Sequence, residues 1–247
     1  MKKILSLLLL SIHLFGASVN VAVAANMSYA ISAIKEAFQK SHPNTEIDIN
    51  LASSGKLTAQ IKHGAPYDLF LSANMRYPHT LSKEHLTLSD VAIYAQGSLV
   101  LFSKKERDFS KGISTILEPS VKRVAVGNPK TAPYGKATKE ALLNADIYNK
   151  AKEKFIYGES ISQTLTYTMR AAEMGFIAKS SLFAKEMLRY KEHKNWIDID
   201  KELYRPISQG VVLLKRAKNN SQAKEFYQFI LSDEAKKIFN KFGYTTL

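Results

Sequence analysis

The stretch EIDINLASSGKLTAQIKHGAPYDLFLS, residues 46–72, decides the fold class. From Glu46 to Leu51 apolar residues alternate at Ile47, Ile49 and Leu51, the period of a strand with one face buried. Ala52-Ser53-Ser54-Gly55 breaks that alternation, and Leu57 and Ile61 then fall at helical spacing as far as Gly64, placed as the glycine that ends a helix. Asp68 to Ser72 is a short apolar run that reads as a second strand. Strand, short turn, helix, strand is the grammar of a parallel sheet, so the chain belongs to the α/β class.

The same grammar extends in both directions. Val19 to Ala25 is small, apolar and β-branched, and is expected to form a buried strand. Asn26 follows as a helix N-cap, with Ala30, Ile31, Ile34, Ala37 and Phe38 repeating behind it. Later strands are expected at Ser98–Ser103, Arg123–Val126, Gly175–Ala178 and Val211–Leu214, and helices at Tyr134–Ala145 and Ile161–Ala172. Two helices close the chain. The last has Ser232 as N-cap, Asp233 and Glu234 in its first turn, Lys241 near its end and Gly243 as its stop. No low-complexity segment interrupts the pattern, and no repeat recurs beyond the βα unit.

The 247 residues suffice for one large domain or two lobes, and a hydrophobic fraction of 45% with 23% charged residues excludes disordered and fibrous classes. The absence of cysteine excludes disulfides, thiolate metal sites, a Cys nucleophile and an anchor attached through cysteine. Lys2 and Lys3 precede an apolar stretch from Ile4 to Phe15, and Gly16, Ala17 and Ser18 are small; residues 1–18 are expected to be a signal peptide. About a dozen apolar residues fall short of the roughly 20 that span a bilayer. The mature protein is therefore expected to be exported and soluble, and its formal charge falls from +13 to +11 once Lys2 and Lys3 are removed. Its lysines are scattered and not interleaved with aromatics, so nucleic acid is not the expected partner.

Three βα junctions share one chemistry. Ala25-Asn26-Met27-Ser28, Ala52-Ser53-Ser54-Gly55 and Ala132-Pro133-Tyr134-Gly135 place small, hydroxyl or amide residues where a helix begins. A helix start exposes free N–H groups and a partial positive charge, and so receives an anion without any charged side chain. Each junction alone reads equally well as an ordinary cap. Three of them with no acid–base constellation nearby point to an oxyanion site.

At these junctions the chain resembles the periplasmic molybdate-binding proteins, the substrate-capturing subunits of ABC importers. The resemblance covers Val19 to Leu247 and is carried by VAVAANMS (21–28), LASSGKL (51–57), HGAPYDLFLSA (63–73), VAVGNP (124–129) and IFNKFGY (238–244). It implies the bilobal periplasmic-binding-protein fold of type II: two α/β lobes joined by two crossover strands, with the ligand in the cleft between them. Residues 19–97 plus 210–247 would form lobe 1 and residues 98–209 lobe 2, with Ser98–Leu101 and Pro206–Gly210 crossing over and Gly97 and Gly210 at the hinge. The ligand-binding residues it implies are Ala25 (backbone), Asn26, Ser54 (hydroxyl and N–H), Tyr134 (N–H, with its phenol an open question) and Ile161 (N–H). These would contact oxyanion oxygens, so no residue ligates metal directly and no cofactor is needed. Many members have serine where Asn26 stands and a tyrosine donor where Ala178 stands. Another branch shares the asparagine and a tyrosine at the position of Tyr134, which is taken to replace the missing donor. The implied function is capture of molybdate, and of tungstate, in the periplasm by a monomer without a lipid anchor, for delivery to an ABC permease.

Other readings remain. Sulfate, phosphate or a ferric-ion complex suits the same fold. Lys56, Lys136 and Lys179 lie near the turns, either as ligand contacts or as solvated charges that steer anions. Ser53-Ser54 followed by Lys56 suggests a serine hydrolase, but no Gly-x-Ser-x-Gly elbow exists. His42, His63, His79, His85 and His193 lack metal-ligand spacing. A transcription regulator with this fold would need a DNA-binding domain for which the chain has no residues to spare.

Overall fold

A computed structural model describes residues 18–246. The expected leader lies outside the described residues except for Ser18, the first residue of β1 (Ser18–Ala24). In the first lobe β1 pairs in parallel with β2 (Glu46–Ala52) and β3 (Leu69–Leu71), while β10 (Ile207–Leu213) runs antiparallel between β3 and β4 (Ala92–Gly97). The sheet order is β2-β1-β3-β10-β4. The second sheet repeats the plan. There β6 (Val124–Gly127) pairs in parallel with β7 (Phe155–Gly158) and β8 (Met174–Ala178), and β5 (Leu99–Phe102) runs antiparallel between β8 and β9 (Trp196–Asp198). Its order is β7-β6-β8-β5-β9. The chain passes from the first sheet to the second at Ser98 and returns between β9 and β10. Two mixed sheets, each flanked by helices, make the bilobal α/β architecture of type II.

Helices lie where apolar spacing put them. α1 (Ala30–Ser41) buries Ala30, Ile31, Ile34, Ala37 and Phe38 against the first sheet. α2 (Ser54–Lys62) ends before Gly64, whose φ of 83° lets the amides of Gly64 and Ala65 reach back to Ile61 O and Gln60 O at 3.0 and 2.9 Å. α3 (Arg76–Lys83) follows β3. On the second sheet pack α4 (Pro133–Asn144), the short α5 (Tyr148–Ala151) and α6 (Ile161–Arg170). α7 (Ser221–Ile230) and α8 (Asp233–Lys241) return to the first lobe; Ser232 Oγ caps α8 by accepting the Ala235 amide at 3.2 Å. No helix of the described residues is long and apolar enough to cross a membrane.

One local expectation needs correction. Asn26 does not cap α1. It sits inside a 3₁₀ turn, Ala25–Met27, and α1 starts only at Ala30 without a side-chain cap. The reason is that the Asn26 carboxamide is drawn inward, donating to Gln209 Oε1 and Tyr244 Oη at 2.9 Å each. The described glycines with positive φ are Gly64, Gly112 and Gly243, so neither Gly97 nor Gly210 is held by a left-handed backbone. Gly97 is glycine for space. A Cβ there would lie 2.0 Å from Tyr134 Oη and 2.8 Å from Gln209 Nε2.

Candidate functional site

The C-terminal ends of the parallel strands β1, β2, β6 and β7 converge on one cleft between the lobes. β1 runs into the Ala25–Met27 turn, β2 into α2, β6 into α4 and β7 into α6. This is the crevice outside the carboxyl ends of the strands, where α/β proteins bind ligands. Between the four starts lies a small pocket walled by Ala24, Ala25, Asn26, Ser53, Ser54, Ala73, Ala132, Pro133, Tyr134 and Ile161. A water-sized sphere finds room for its centre in only about 10 Å³ of it. Organic ligands usually occupy roughly 300–1,000 Å³, so this pocket is far too small for one.

The five residues implied by the sequence, Ala25, Asn26, Ser54, Tyr134 and Ile161, all line this pocket. Ser54 and Ile161 are the first residues of α2 and α6, and Tyr134 is the second of α4 after Pro133. Their N–H groups have no intrahelical acceptor, because the first turn of a helix offers none. At α6 the Ser160 hydroxyl takes the Gln163 amide at 3.2 Å, which leaves the Ile161 N–H to the cleft. Ser54 is fully buried, and its hydroxyl oxygen accepts the Ala73 amide at 3.0 Å. With an N–H on its lone pair, the hydroxyl has its own proton left to donate.

No lysine, arginine, histidine, aspartate or glutamate belongs to the wall. Lys136 instead faces a larger open groove of about 730 Å³ with Arg76, Lys130 and Lys139, and pairs with Glu140 at 3.9 Å. Lys179 pairs with Asp198 and lies over the Trp196 ring at 5.3 Å. Lys56 lines none of the cavities described here. Among the described residues no cluster of histidine, aspartate and glutamate is arranged to hold a metal ion.

Behind the pocket lies a polar layer that the sequence reading missed. Gln209, fully buried on β10, accepts from Asn26 Nδ2 at 2.9 Å and from Tyr94 Oη at 2.7 Å. The Tyr134 phenol runs into this layer, with its oxygen 3.4 Å from Gln209 Nε2. Tyr244 Oη donates to Asn26 O at 2.8 Å. Burial, reinforced by the other phenols, raises Tyr134 and Tyr94 well above the ordinary tyrosine value; burial likewise raises Tyr244, so all three stay neutral donors. Gln209 had a sequence signal, a glutamine amid the apolar run from Ile207 to Leu214.

Across the mouth the lobes are joined by hydrogen bonds onto main-chain carbonyls. The Gly55 amide donates to Thr131 O at 3.0 Å and Tyr77 Oη to Lys130 O at 3.1 Å. Ser162 Oγ donates to Ala25 O at 2.9 Å, and Ser180 Oγ to Asn26 O at 3.0 Å. Ser180, two residues beyond Ala178, thus serves the seam between lobes.

Residues 19–245 match the family model of bacterial extracellular solute-binding proteins. The chain belongs to that family. Within it stand molybdate-binding proteins. The chain is 34% identical to the molybdate-binding protein ModA of Rhodobacter capsulatus over 229 residues, 91% of this chain and 87% of the relative. The structure of the periplasmic molybdate-binding protein of Azotobacter vinelandii superposes with a TM-score of 0.85 at 26% identity, covering 93% of this chain and 99% of that one. The sulfate-binding protein SubI of Mycobacterium tuberculosis shares the fold, with a TM-score of 0.74 at 15% identity over 94% of this chain and 87% of its own. This is a family of solute-binding proteins and not of enzymes, so the hydrolase reading of Ser53-Ser54 and Lys56 falls away.

Proposed function

We propose that this solute-binding protein captures molybdate, and tungstate with it, in the periplasm and delivers it to an ABC permease. The observation that carries the reading is the neutral wall: four helix or turn starts meet at one small pocket with a free hydroxyl proton and no charged side chain. Molybdate at neutral pH is a dianion whose oxygens only accept. Hydrogen bonds to it from N–H and O–H groups are charge-assisted and about twice as strong as neutral ones. In this reading the contacts come from the main chain at Ala25 and Asn26, the hydroxyl and N–H of Ser54, and the N–H groups of Tyr134 and Ile161.

Selectivity follows from size and protonation. Metal–oxygen bonds in molybdate and tungstate are longer than the sulfur–oxygen bonds of sulfate, so a rigid ring of donors set for the larger ion closes poorly on the smaller. Hydrogen phosphate brings a donor to a wall built to donate. The leader at residues 1–18 accounts for export, and the family's description as extracellular agrees with it. Calorimetric titration of the mature protein with molybdate, tungstate, sulfate and phosphate tests the reading. One-to-one binding of the first two, with no heat from the others, is expected. Binding of sulfate or phosphate in their place would keep the transport class and refute the ligand.

A further inference from the structure

Gln209 has no place in the pocket wall, yet its buried side chain lies between two residues that do, Asn26 of the first lobe and Tyr134 of the second. A strand irregularity between Gln209 and Gly210 aims it there, and the missing side chain of Gly97 leaves it room. The Asn26 carboxamide is 2% exposed at the residue level. Its Nδ2 spends both protons away from the pocket, on Gln209 Oε1 and Tyr244 Oη. Its Oδ1, the end left over, is buried with no partner in the protein. An unpartnered acceptor beside a pocket for an acceptor-only dianion is the wrong polarity.

A carboxamide is nearly the same size either way round, and so is that of Gln209. With both reversed, Gln209 Nε2 donates to Asn26 Oδ1 and to Tyr94 Oη, whose own proton goes to Ser72 O, 3.3 Å away. Gln209 Oε1 then accepts the Tyr134 phenol proton, which otherwise has no protein acceptor among the described residues. Tyr244 Oη turns its proton from Asn26 O onto Asn26 Oδ1, while Asn26 O keeps the Ser180 hydroxyl, so every member is satisfied and Asn26 Nδ2 is released as a donor. Only a glutamine, with a donor and an acceptor on one rigid plane, supports both arrangements.

Resting on the oxyanion reading above, we infer that Gln209 is a positioning residue that sets which end of the Asn26 carboxamide meets the ligand. It thereby decides between a fully deprotonated oxyanion, which needs a donor there, and an oxyanion that carries a proton, which is served by an acceptor.

The test uses sodium molybdate and sodium arsenate, since hydrogen arsenate is close to molybdate in size but bears a proton. Both are titrated calorimetrically into the wild type and Gln209→Met, and the side-chain amide signals of ¹⁵N-labelled wild type are followed by NMR. On molybdate addition both Asn26 side-chain amide proton signals are expected to shift, as Nδ2 leaves Gln209 and Tyr244 and donates to the anion. Gln209→Met is expected to lose roughly tenfold in molybdate affinity, the worth of one charge-assisted hydrogen bond. Its arsenate affinity holds or rises, so the ratio narrows. Molybdate binding that leaves the Asn26 signal unmoved overturns the inference whether or not the variant folds. Equal losses for both anions overturn it too, because they mark a merely structural role. A wild type that binds no molybdate overturns the functional reading first, and calorimetry on that protein alone tells the two failures apart.

Discussion

Gly55→Ala adds one methyl group in the first turn of α2, at a backbone position any residue can adopt. The added Cβ would meet Tyr77 Oη at 2.7 Å and Thr131 Cα and O at 3.0 Å each. Tyr77 is a side chain that can turn away, but Thr131 is main chain of the second lobe, and the Gly55 amide is bonded to its carbonyl at 3.0 Å. The methyl therefore collides only when the lobes are shut. Overpacking of this kind costs about 1–3 kcal/mol, equivalent to roughly 5- to 150-fold in ligand affinity if it falls wholly on the closed form. Within the open first lobe alanine is the better helix former, by up to about 1 kcal/mol. That raises the melting temperature of a protein this size by about 2–4 °C. The variant is thus expected to melt at the same temperature as the parent or slightly higher without ligand, and to bind molybdate at least fivefold more weakly by calorimetry. Affinity within twofold of wild type would refute the reasoning, because the contact with Thr131 would then have no part in closure.

Ser54→Ala removes a hydroxyl donor and orphans the Ala73 amide; a hydrogen bond to a charged group is worth about 1.5–3 kcal/mol, so a loss of at least tenfold in oxyanion affinity is expected by titration. Because no wall residue titrates near neutrality, the molybdate dissociation constant is expected to stay flat between about pH 6 and 9, and a strong pH dependence would implicate a charged group instead. Tyr94, Tyr134 and Tyr244 have folded values above the unfolded one, near 10, so the stability they give is complete below that pH and drains away as pH rises towards the folded values. Each contributes up to about 1.4 kcal/mol per pH unit in that window; alkaline melts of Tyr94→Phe should fall less steeply than those of wild type. Arg216 pairs with fully buried Asp68 at 3.1 Å, and Arg216→Ala is expected to cost about 1–3 kcal/mol in urea unfolding.

The parallel cores were plain in the sequence because Val21, Val23, Leu69 and Leu71 are buried in runs that only a strand explains. The starts of α2, α4 and α6 were plain because small residues sit at the ends of the strands before them, whereas α1 begins later than Asn26 suggested. β4 was not, since Ala92–Gly97 has neither alternation nor a β-branched run and is a strand only because β10 lies beside it. α3 was hidden by Pro78 and by having just Pro78 and Leu81 to bury. Of the pocket wall, local chemistry marked the junctions at Asn26, Ser54 and Tyr134, and the family resemblance supplied Ile161. The layer behind it did not show, because Tyr94, Gln209 and Tyr244 are far apart in sequence and meet Asn26 only through the topology.

The seam across the cleft has its acceptors in the main chain, at Ala25, Thr131, Lys130 and Asn26. A carbonyl survives every substitution, and it neither titrates nor oxidises. Of the four donors opposite, one is the Gly55 amide and three are single hydroxyls on Tyr77, Ser162 and Ser180, each of which one codon change can add or delete. The strength of the contact between the lobes is therefore adjustable in small steps from outside the pocket, while the residues of its wall stay as they are.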